Sequence, residues 1–221
     1  MGSPVICFIN PNSTESMTST CRDTLDRIAV AGGASFEFIT NHAAPEAIQG
    51  AEDGELATEA MLAMVAKLSD DYVAFVVGCF DDTGVWNLVE QVGRPVIGIG
   101  QAAYHWASLR SQRFVVLTTL QVSVPVIKES IRLQGFESHC LDVLASGIPV
   151  LELERDPRES LKILNHCIRG IVDTHGGNVA IILGCAGMTA LYAELNSEWE
   201  ELTIIDPVAA GLRLSSVLCL E

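Results

Sequence analysis

Two segments of this 221-residue chain share one pattern, in which a run of apolar residues ends in Gly-Cys. The first is VAFVVGC, Val73 to Cys79, and the second is VAIILGC, Val179 to Cys185, so the two cysteines lie 106 residues apart. At nearly the same offset, TIIDPVAA (Thr203 to Ala210) matches VIGIGQAA (Val96 to Ala103), and RFVVLTT matches the N-terminal VICFINPN. Three pairs of segments at one offset predict two similar lobes related by an approximate internal twofold axis.

Short apolar runs alternate with longer amphipathic segments along the whole chain, and this alternation is typical of a parallel sheet covered by helices on both faces. The predicted strands are Val5–Asn10, Phe36–Thr40, Tyr72–Gly78, Pro95–Gly100, Arg113–Thr119 and Val179–Cys185. We therefore expect an α/β fold with two pseudosymmetric lobes, each a mostly parallel sheet flanked by helices, and an active site in the cleft between them. In this compact unit, residues 1–108 and 206–221 form the first lobe and residues 109–205 the second.

Composition excludes several classes of function. The net charge of −15 argues against nucleic-acid binding, which needs a clustered basic surface. Seven cysteines form no C-x-x-C pair, and the five histidines show no ligand spacing, so no metal site is expected. No apolar run is long enough to span a membrane, and we expect a cytoplasmic protein with reduced thiols.

The positions of Cys79 and Cys185 suggest the chemistry. In open α/β sheets, ligands bind beyond the carboxyl ends of the strands, where both cysteines are predicted to lie. Lobes related by a twofold axis would bring the two thiols to opposite sides of one cleft. Inversion of a carbon centre needs such a pair, because one group removes a proton from one face while the other delivers a proton to the opposite face.

Other polar residues near these segments have alternative interpretations. Asp81 and Asp82 could act as acid/base groups, but we favour helix capping for two adjacent carboxylates after a strand. Asp206 could support the site from behind or cap a helix that begins at Pro207. The loop from Ala43 to Gly50 could cover the cleft or be an ordinary surface loop. The other five cysteines are expected to pack in the core.

Seven motifs in order resemble the aspartate/glutamate/hydantoin racemase superfamily, and are most similar to its hydantoin and allantoin racemase branch. They cover nearly the whole chain, from about residue 5 to residue 215. They are INPNST (Ile9–Thr14), GCFDDTG (Gly78–Gly84), PVIGIGQAA (Pro95–Ala103), VVLTTL (Val115–Leu120), PVLELE (Pro149–Glu154), LGCAGM (Leu183–Met188) and IDPVAA (Ile205–Ala210). The chain departs from the branch at Pro207, where Gly commonly follows the Asp.

The resemblance implies two lobes with the active site between them, a small-molecule substrate, and paired cysteines that work without a metal or organic cofactor. It assigns Cys79 and Cys185 as the catalytic bases. Neighbours that hold the carbonyl and amide groups of the substrate would be Asn10, Ser13, Phe80, Thr118, Thr119, Ala186 and Gly187. Backbone N–H groups after each cysteine are expected to lower its pKa, and we expect a homo-oligomer.

The function expected from these observations is racemisation at the chiral carbon of a 5-substituted hydantoin or of allantoin. One alternative is an amino-acid racemase for aspartate or glutamate on the same scaffold. Such a substrate carries a free carboxylate and ammonium, whereas the motif loops offer mostly Asn, Ser and Thr. The other alternative is a non-catalytic protein that binds a small amide or carboxylate, although binding alone needs neither thiol.

Overall fold

The computed structural model describes residues 4–68, 71–110 and 112–218 and contains two four-stranded sheets. Both sheets are entirely parallel. Their strands are rich in Val, Ile, Leu and Phe, which suit positions buried on both faces of a sheet. The strands are β1 (Val5–Asn10), β2 (Ser35–Thr40), β3 (Tyr72–Val77), β4 (Val96–Gly98), β5 (Phe114–Thr118), β6 (Cys140–Ala145), β7 (Ala180–Leu183) and β8 (Thr203–Ile205).

The two sheets have the same topology, which confirms the predicted two-lobed α/β fold. The first has the order β2-β1-β3-β4 and the second the order β6-β5-β7-β8. The strands that precede Cys79 and Cys185, β3 and β7, therefore occupy equivalent inner positions. The sequence pattern did not identify β6, whose residues are mostly half-buried and lack a continuous apolar run.

Helices cover both faces of each sheet. They are α1 (Glu15–Asp23), α2 (Ala51–Val65), α3 (Val85–Val92), α4 (Ile99–Leu109), α5 (Val124–Leu133), α6 (Glu152–Arg155), α7 (Pro157–His175), α8 (Tyr192–Glu198) and α9 (Pro207–Leu218). Short 3₁₀ helices at Thr24–Arg27, Gln121–Ser123 and Ala186–Leu191 complete the connections. No helix in the described ranges is long and apolar enough to cross a membrane.

The lobes exchange helices. Helix α4 follows the first sheet, yet its Tyr104 is fully buried in the core of the second lobe and stacks on Phe114 of β5 at 5.6 Å. Helix α9 follows the second sheet, and its Val208 and Leu212 pack against Val76 of β3. Because α9 buries its apolar face on the first sheet, we propose that residues after 205 belong with the first lobe.

The predicted strand Pro95–Gly100 ends earlier than expected, because α4 begins at Ile99. The Asp82 carboxylate accepts hydrogen bonds from the backbone N–H groups of Gly100 and Gln101, at 2.9 and 2.8 Å, in the first turn of α4. Asp82 is therefore a helix cap, as favoured from the sequence, but for a helix 17 residues further along the chain. A capping carboxylate at this position also interacts favourably with the helix dipole.

This cap leaves no room for a side chain at Gly98. A Cβ added there would lie 2.0 Å from an Asp82 carboxylate oxygen. We predict that Gly98→Ala lowers the free energy of unfolding by roughly 1–3 kcal/mol, because the Asp82 carboxylate must move. Equilibrium denaturation in urea measures the change.

Gly170 is the matched control. It lies in α7, is exposed, and an added Cβ would contact nothing within 4 Å. Gly170→Ala is expected to raise the free energy of unfolding by about 0.5–1 kcal/mol through helix propensity. Equal unfolding free energies for wild type and Gly98→Ala would contradict the steric argument.

Candidate active site

Equivalent backbone geometry places Cys79 and Cys185. The preceding residues, Gly78 and Gly184, each donate a backbone hydrogen bond of 2.8 Å to the neighbouring strand, to Ile9 and Leu117 respectively. A Cβ at Gly78 would lie 2.6 Å from the Phe8 ring, and one at Gly184 would lie 2.8 Å from a Val116 methyl group. Each cysteine thus follows a glycine that close packing of the strand end requires.

Both cysteines line one small cavity between the lobes. Cys79 is half-buried and Cys185 is 9% exposed. The cavity residues are Asn12, Met17, Ile48, Gly78, Cys79, Phe80, Asp81, Thr118, Thr119, Ser123, Val150, Gly184, Cys185 and Ala186. The sequence prediction that the two thiols share a cleft therefore agrees with the structure.

Each sulfur has its own hydrogen-bond donors. The hydroxyl of Thr83 donates to Cys79 Sγ at 3.3 Å, and the backbone N–H of Asp81 also stabilises the Cys79 thiolate. At Cys185, the backbone N–H groups of Gly187 and Met188 have this role. The donors predicted after each cysteine are therefore present in both lobes.

Burial nevertheless outweighs these donors. Desolvation raises the pKa of the Cys79 thiol well above its usual range, and the Asp81 carboxylate raises it further. Burial is also the main cause that raises the pKa of Cys185 to about 12. The neighbouring donors do lower each thiol pKa, as expected, but the net shift is upward because removing a thiolate from water costs more than these hydrogen bonds contribute.

Asp81 lies in the cavity and does not cap a helix. Burial, and then the adjacent Asp82, raise its pKa to about 7. Its charge acts on both thiols, since it raises the pKa of Cys79 and of Cys185. Asp81 also lines a second, larger pocket next to α2, so it forms part of the wall between the two cavities.

Four of the seven predicted substrate neighbours line the cavity: Phe80, Thr118, Thr119 and Ala186. Gly187 contributes through its N–H group to Cys185. Asn10 and Ser13 are not among the cavity residues. Ser13 instead donates its backbone N–H to the carbonyl of Pro45 at 3.0 Å, which fastens the loop that was proposed to cover the cleft.

Asn10 makes hydrogen bonds that hold the loop from which Asn12 lines the cavity. The Asn10 amide donates to Asn12 Oδ1, to the Thr14 carbonyl and to Thr18 Oγ1, at 2.9–3.0 Å. Its own oxygen accepts the N–H of Asn12 at 3.2 Å. All of its polar atoms are therefore occupied, and the residue of this motif that lines the cavity is Asn12.

The two threonines of the VVLTTL motif differ. Thr118 donates its hydroxyl to the Gly184 carbonyl at 2.9 Å, which ties β5 to the strand end before Cys185. The hydroxyls of Thr119 and Ser123 make no hydrogen bond within the described ranges of the chain, although both residues are 3% exposed or less. These two hydroxyls are free to bind a ligand.

Several cavity residues were not predicted as site residues from the sequence: Asn12, Met17, Ile48, Ser123 and Val150. Ile48 belongs to the loop Ala43–Gly50, which therefore covers part of the cavity. Met17 lies on α1. The apolar spacing of this helix can be read from the sequence, but it does not distinguish residues of the core from residues that line a cavity. Val150 donates its backbone N–H to the Gln49 side chain at 3.2 Å, so it is held to the same loop.

Asp206 combines both roles considered for it. One carboxylate oxygen caps α9 by accepting the N–H groups of Val208 and Ala209, at 3.0 and 3.3 Å. The other accepts the Thr189 hydroxyl in the 3₁₀ helix after Cys185. Pro207 is the first residue of α9, where its missing N–H is not needed.

The other four cysteines that the structure describes lie outside the cavity. Cys7 and Cys21 are buried, and Cys140 and Cys167 are half-buried; Cys219 lies outside the described residues. Among the described residues, no group of three or more His, Cys, Asp and Glu side chains is arranged to hold a metal ion.

Fold and cavity together define a class of two-lobed α/β proteins, in which each lobe contributes one thiol to a ligand cavity between them. The chain belongs to the Asp/Glu/hydantoin racemase family, which it matches over residues 6–215. Members of its hydantoin and allantoin branch are racemases, and this protein is accordingly an isomerase of that kind.

Individual relatives agree with this membership. A hydantoin racemase of Rhizobium meliloti is 37% identical over 215 residues, which cover 96% of this chain and 88% of that protein. The structure of allantoin racemase from Klebsiella pneumoniae superposes with a TM-score of 0.88 at 30% identity, covering 99% of this chain and 89% of that one. A glutamate racemase from Bacillus anthracis shares the fold, with a TM-score of 0.65. It is 16% identical, and the superposition covers 98% of this chain and 82% of that one.

The charge of Asp81 makes a testable contribution to thiol reactivity. Because Asp81 raises the pKa of Cys79, Asp81→Asn is expected to lower it. Only the thiolate is nucleophilic, so Cys79 is predicted to react with iodoacetamide about three- to tenfold faster than in wild type at about pH 9. Peptide mass spectrometry follows the alkylation of Cys79 over time.

Glu59→Gln is the control, because Glu59 lines the neighbouring pocket but not the cavity. Its alkylation rate at Cys79 is expected to equal that of wild type. A slower reaction in Asp81→Asn would contradict the electrostatic role, and would indicate instead that the carboxylate takes the proton from the thiol.

Proposed function

We propose that this racemase moves a proton at the chiral carbon of a 5-substituted hydantoin or of allantoin, with Cys79 and Cys185 as the two acid/base groups. One observation carries the proposal: two thiols at equivalent strand ends of the two lobes line the same small cavity. The twofold relation between the lobes supports the assignment of one thiol to each face of the substrate carbon.

The reaction balances with these two groups alone. One cysteine, as the thiolate, takes the proton from the substrate carbon, and the electron pair of the broken C–H bond passes into the adjacent carbonyl as an enolate. The other cysteine, as the thiol, returns a proton to the opposite face and becomes the thiolate. The roles are therefore exchanged after each turnover, and the opposite enantiomer is processed in the reverse direction.

The hydrogen-bond donors at each sulfur support this exchange of roles. The Thr83 hydroxyl stabilises a thiolate at Cys79, and the N–H groups of Gly187 and Met188 stabilise one at Cys185. Because burial raises both pKa values, a thiolate formed in the cavity is a stronger base than a thiolate in water. This basicity suits a carbon acid, whose proton is removed only by a strong base.

The polarity of the cavity supports a neutral ring as the substrate. Of the described residues that line the cavity, none is Lys, Arg or His, and Asp81 is the only ionisable one besides the two cysteines. The carboxylate of a free amino acid would be buried without a cationic partner and beside Asp81, which is costly. A hydantoin ring offers only carbonyl and N–H groups, which match the Asn12 amide and the hydroxyls of Thr119 and Ser123.

The same polar groups would stabilise the enolate. Removal of the proton places negative charge on the ring oxygen, and hydroxyl donors fixed in a buried cavity stabilise such a charge without reorganising. Thr119 lies on the lobe that contributes Cys185, directly after β5. We assign Thr119 and Ser123 as donors to the ring carbonyl, and Phe80, Met17 and Ile48 as the surface for the substituent.

Substitution of each cysteine tests the two-thiol mechanism. Cys79→Ser and Cys185→Ser are each predicted to reduce racemisation by at least about 10³-fold, because a serine hydroxyl is a far weaker acid than a thiol. Each variant should still exchange the α-proton of one enantiomer with D₂O through its remaining cysteine. The two variants are expected to prefer opposite enantiomers, as measured by deuterium loss from each labelled enantiomer.

Cys167→Ser is the matched control, because Cys167 is half-buried on α7 and lies outside the cavity. It should retain the activity of wild type. Full racemase activity in either Cys79→Ser or Cys185→Ser would overturn the mechanism.

A panel of single enantiomers in D₂O tests the substrate. With 5-substituted hydantoins or allantoin, optical rotation is expected to decay while one deuterium enters the product. Aspartate and glutamate should react at least about a hundredfold more slowly, since their charged groups find no partner. Treatment with EDTA is expected to leave the rate unchanged.

Faster racemisation of aspartate or glutamate would favour the amino-acid alternative. A ligand that protects both thiols from iodoacetamide without any deuterium uptake would favour the non-catalytic binding protein.

A further inference from the structure

A further cavity, separate from the thiol cavity and from the pocket next to α2, is lined by three arginines. They are Arg27 from the 3₁₀ helix after α1, Arg110 from the end of α4, and Arg213 from α9, and all three line the same pocket. None of the residues that line this pocket also lines the cavity with Cys79 and Cys185. We call it the arginine pocket.

Such a cluster is unusual for the charge of this chain. The protein has 28 acidic side chains and only 13 Lys and Arg residues, so three arginines that line one pocket are a concentration of positive charge on an acidic molecule. Like charges that share a pocket repel one another, and a bound anion would relieve this repulsion.

The protein itself compensates it only in part. Among the described residues that line the pocket, Asp206 is the only one with a carboxylate. It lies 3.4 Å from Arg27, and its oxygens also accept the Thr189 hydroxyl and two N–H groups of α9. Across the part of the chain that the structure describes, the guanidinium groups of Arg110 and Arg213 make no hydrogen bond and no ion pair.

Aromatic rings hold two of the arginines in place. The Arg213 guanidinium lies over the Trp106 ring, 5.6 Å from its centre, and that of Arg27 lies 5.5 Å from the centre of the Tyr192 ring. A stacked guanidinium keeps its N–H donors at the edge of its plane, where they match the paired oxygens of a carboxylate or phosphate. The pocket thus combines unfilled donors with flat apolar walls.

We propose that the arginine pocket is a binding site for a small oxyanion, a molecule that carries a carboxylate or phosphate group. The anion accepts hydrogen bonds from Arg110 and Arg213 and lies near Arg27. Trp106 and Tyr192 border any organic part of it. The site is distinct from the one that we assign to the neutral substrate, and its test does not use the racemase reaction.

The pocket also lies directly behind the turn that carries Cys185. Arg27 donates to the Thr189 carbonyl at 3.2 Å and to its hydroxyl at 3.0 Å, and Thr189 belongs to the 3₁₀ helix Ala186–Leu191. A bound anion therefore shares Arg27 with the segment whose Gly187 and Met188 serve Cys185.

Binding of two probes to the full chain tests the proposal. Isothermal titration with inorganic phosphate and, separately, with succinate is carried out at constant ionic strength, with chloride as the background anion. Saturable binding of at least one probe is expected, and which probe binds more tightly distinguishes phosphate from carboxylate ligands. Arg110→Gln and Arg213→Gln should each weaken that binding by at least about tenfold, because each removes a charge-assisted donor.

Arg169→Gln is the matched control. Arg169 also lies over an indole, 5.9 Å from the centre of the Trp199 ring, but outside the arginine pocket. The Arg169→Gln variant should bind the anion as tightly as wild type does. A thermal melt of each variant checks that it folds, and Arg110→Lys, which keeps the charge, should retain part of the affinity. Absence of saturable binding of both probes, or equal dissociation constants in all variants, would overturn the proposal.

Discussion

Two close backbone approaches, at Gly78 and Gly184, determine where the reactive groups of this protein lie. Each glycine extends the hydrogen bonding of a parallel strand by one residue against a neighbouring strand that leaves no space for a side chain. The residue that follows is then directed away from the sheet and into the space between the lobes. Because the same contact occurs in both lobes, the twofold repeat of the backbone becomes a pair of thiols in one cavity.

The exchange of helices between the lobes joins the two halves of the chain that enclose this cavity. Helix α4 packs on the second lobe and α9 on the first, so neither sheet buries its apolar face without the other half of the chain. Asp82 and Asp206, which cap α4 and α9, occupy corresponding places in this arrangement. Each cap is a buried carboxylate that also contacts the opposite lobe, Asp82 through Gln134 and Asp206 through Thr189.

Burial is the dominant electrostatic effect in the site. It raises the pKa values of Cys79, Cys185 and Asp81, although backbone and hydroxyl donors act in the opposite direction at the two thiols. A raised thiol pKa suits the proposed proton transfer at carbon, because a desolvated thiolate is a strong base. The hydrogen-bond donors at each sulfur stabilise that thiolate when it forms. Among the described residues, the cavity lining has no cationic side chain, whereas the arginine pocket has three, and this difference supports the two proposals of a neutral ring in the first site and an anion in the second.

Hydrophobic periodicity and the repeated Gly-Cys segments were sufficient to predict the two-lobed α/β fold, most of the strands, and a shared cleft for Cys79 and Cys185. These features depend on residues that are neighbours in the sequence, or on one repeat that can be read directly. Only the tertiary structure decided that Asn12 faces the cavity while Asn10 holds the loop, that Asp82 caps α4, and that Asp81 lies beside both thiols. It also brought Arg27, Arg110 and Arg213 together. Each of these outcomes depends on contacts between segments far apart in the chain, and on burial, which no local pattern encodes.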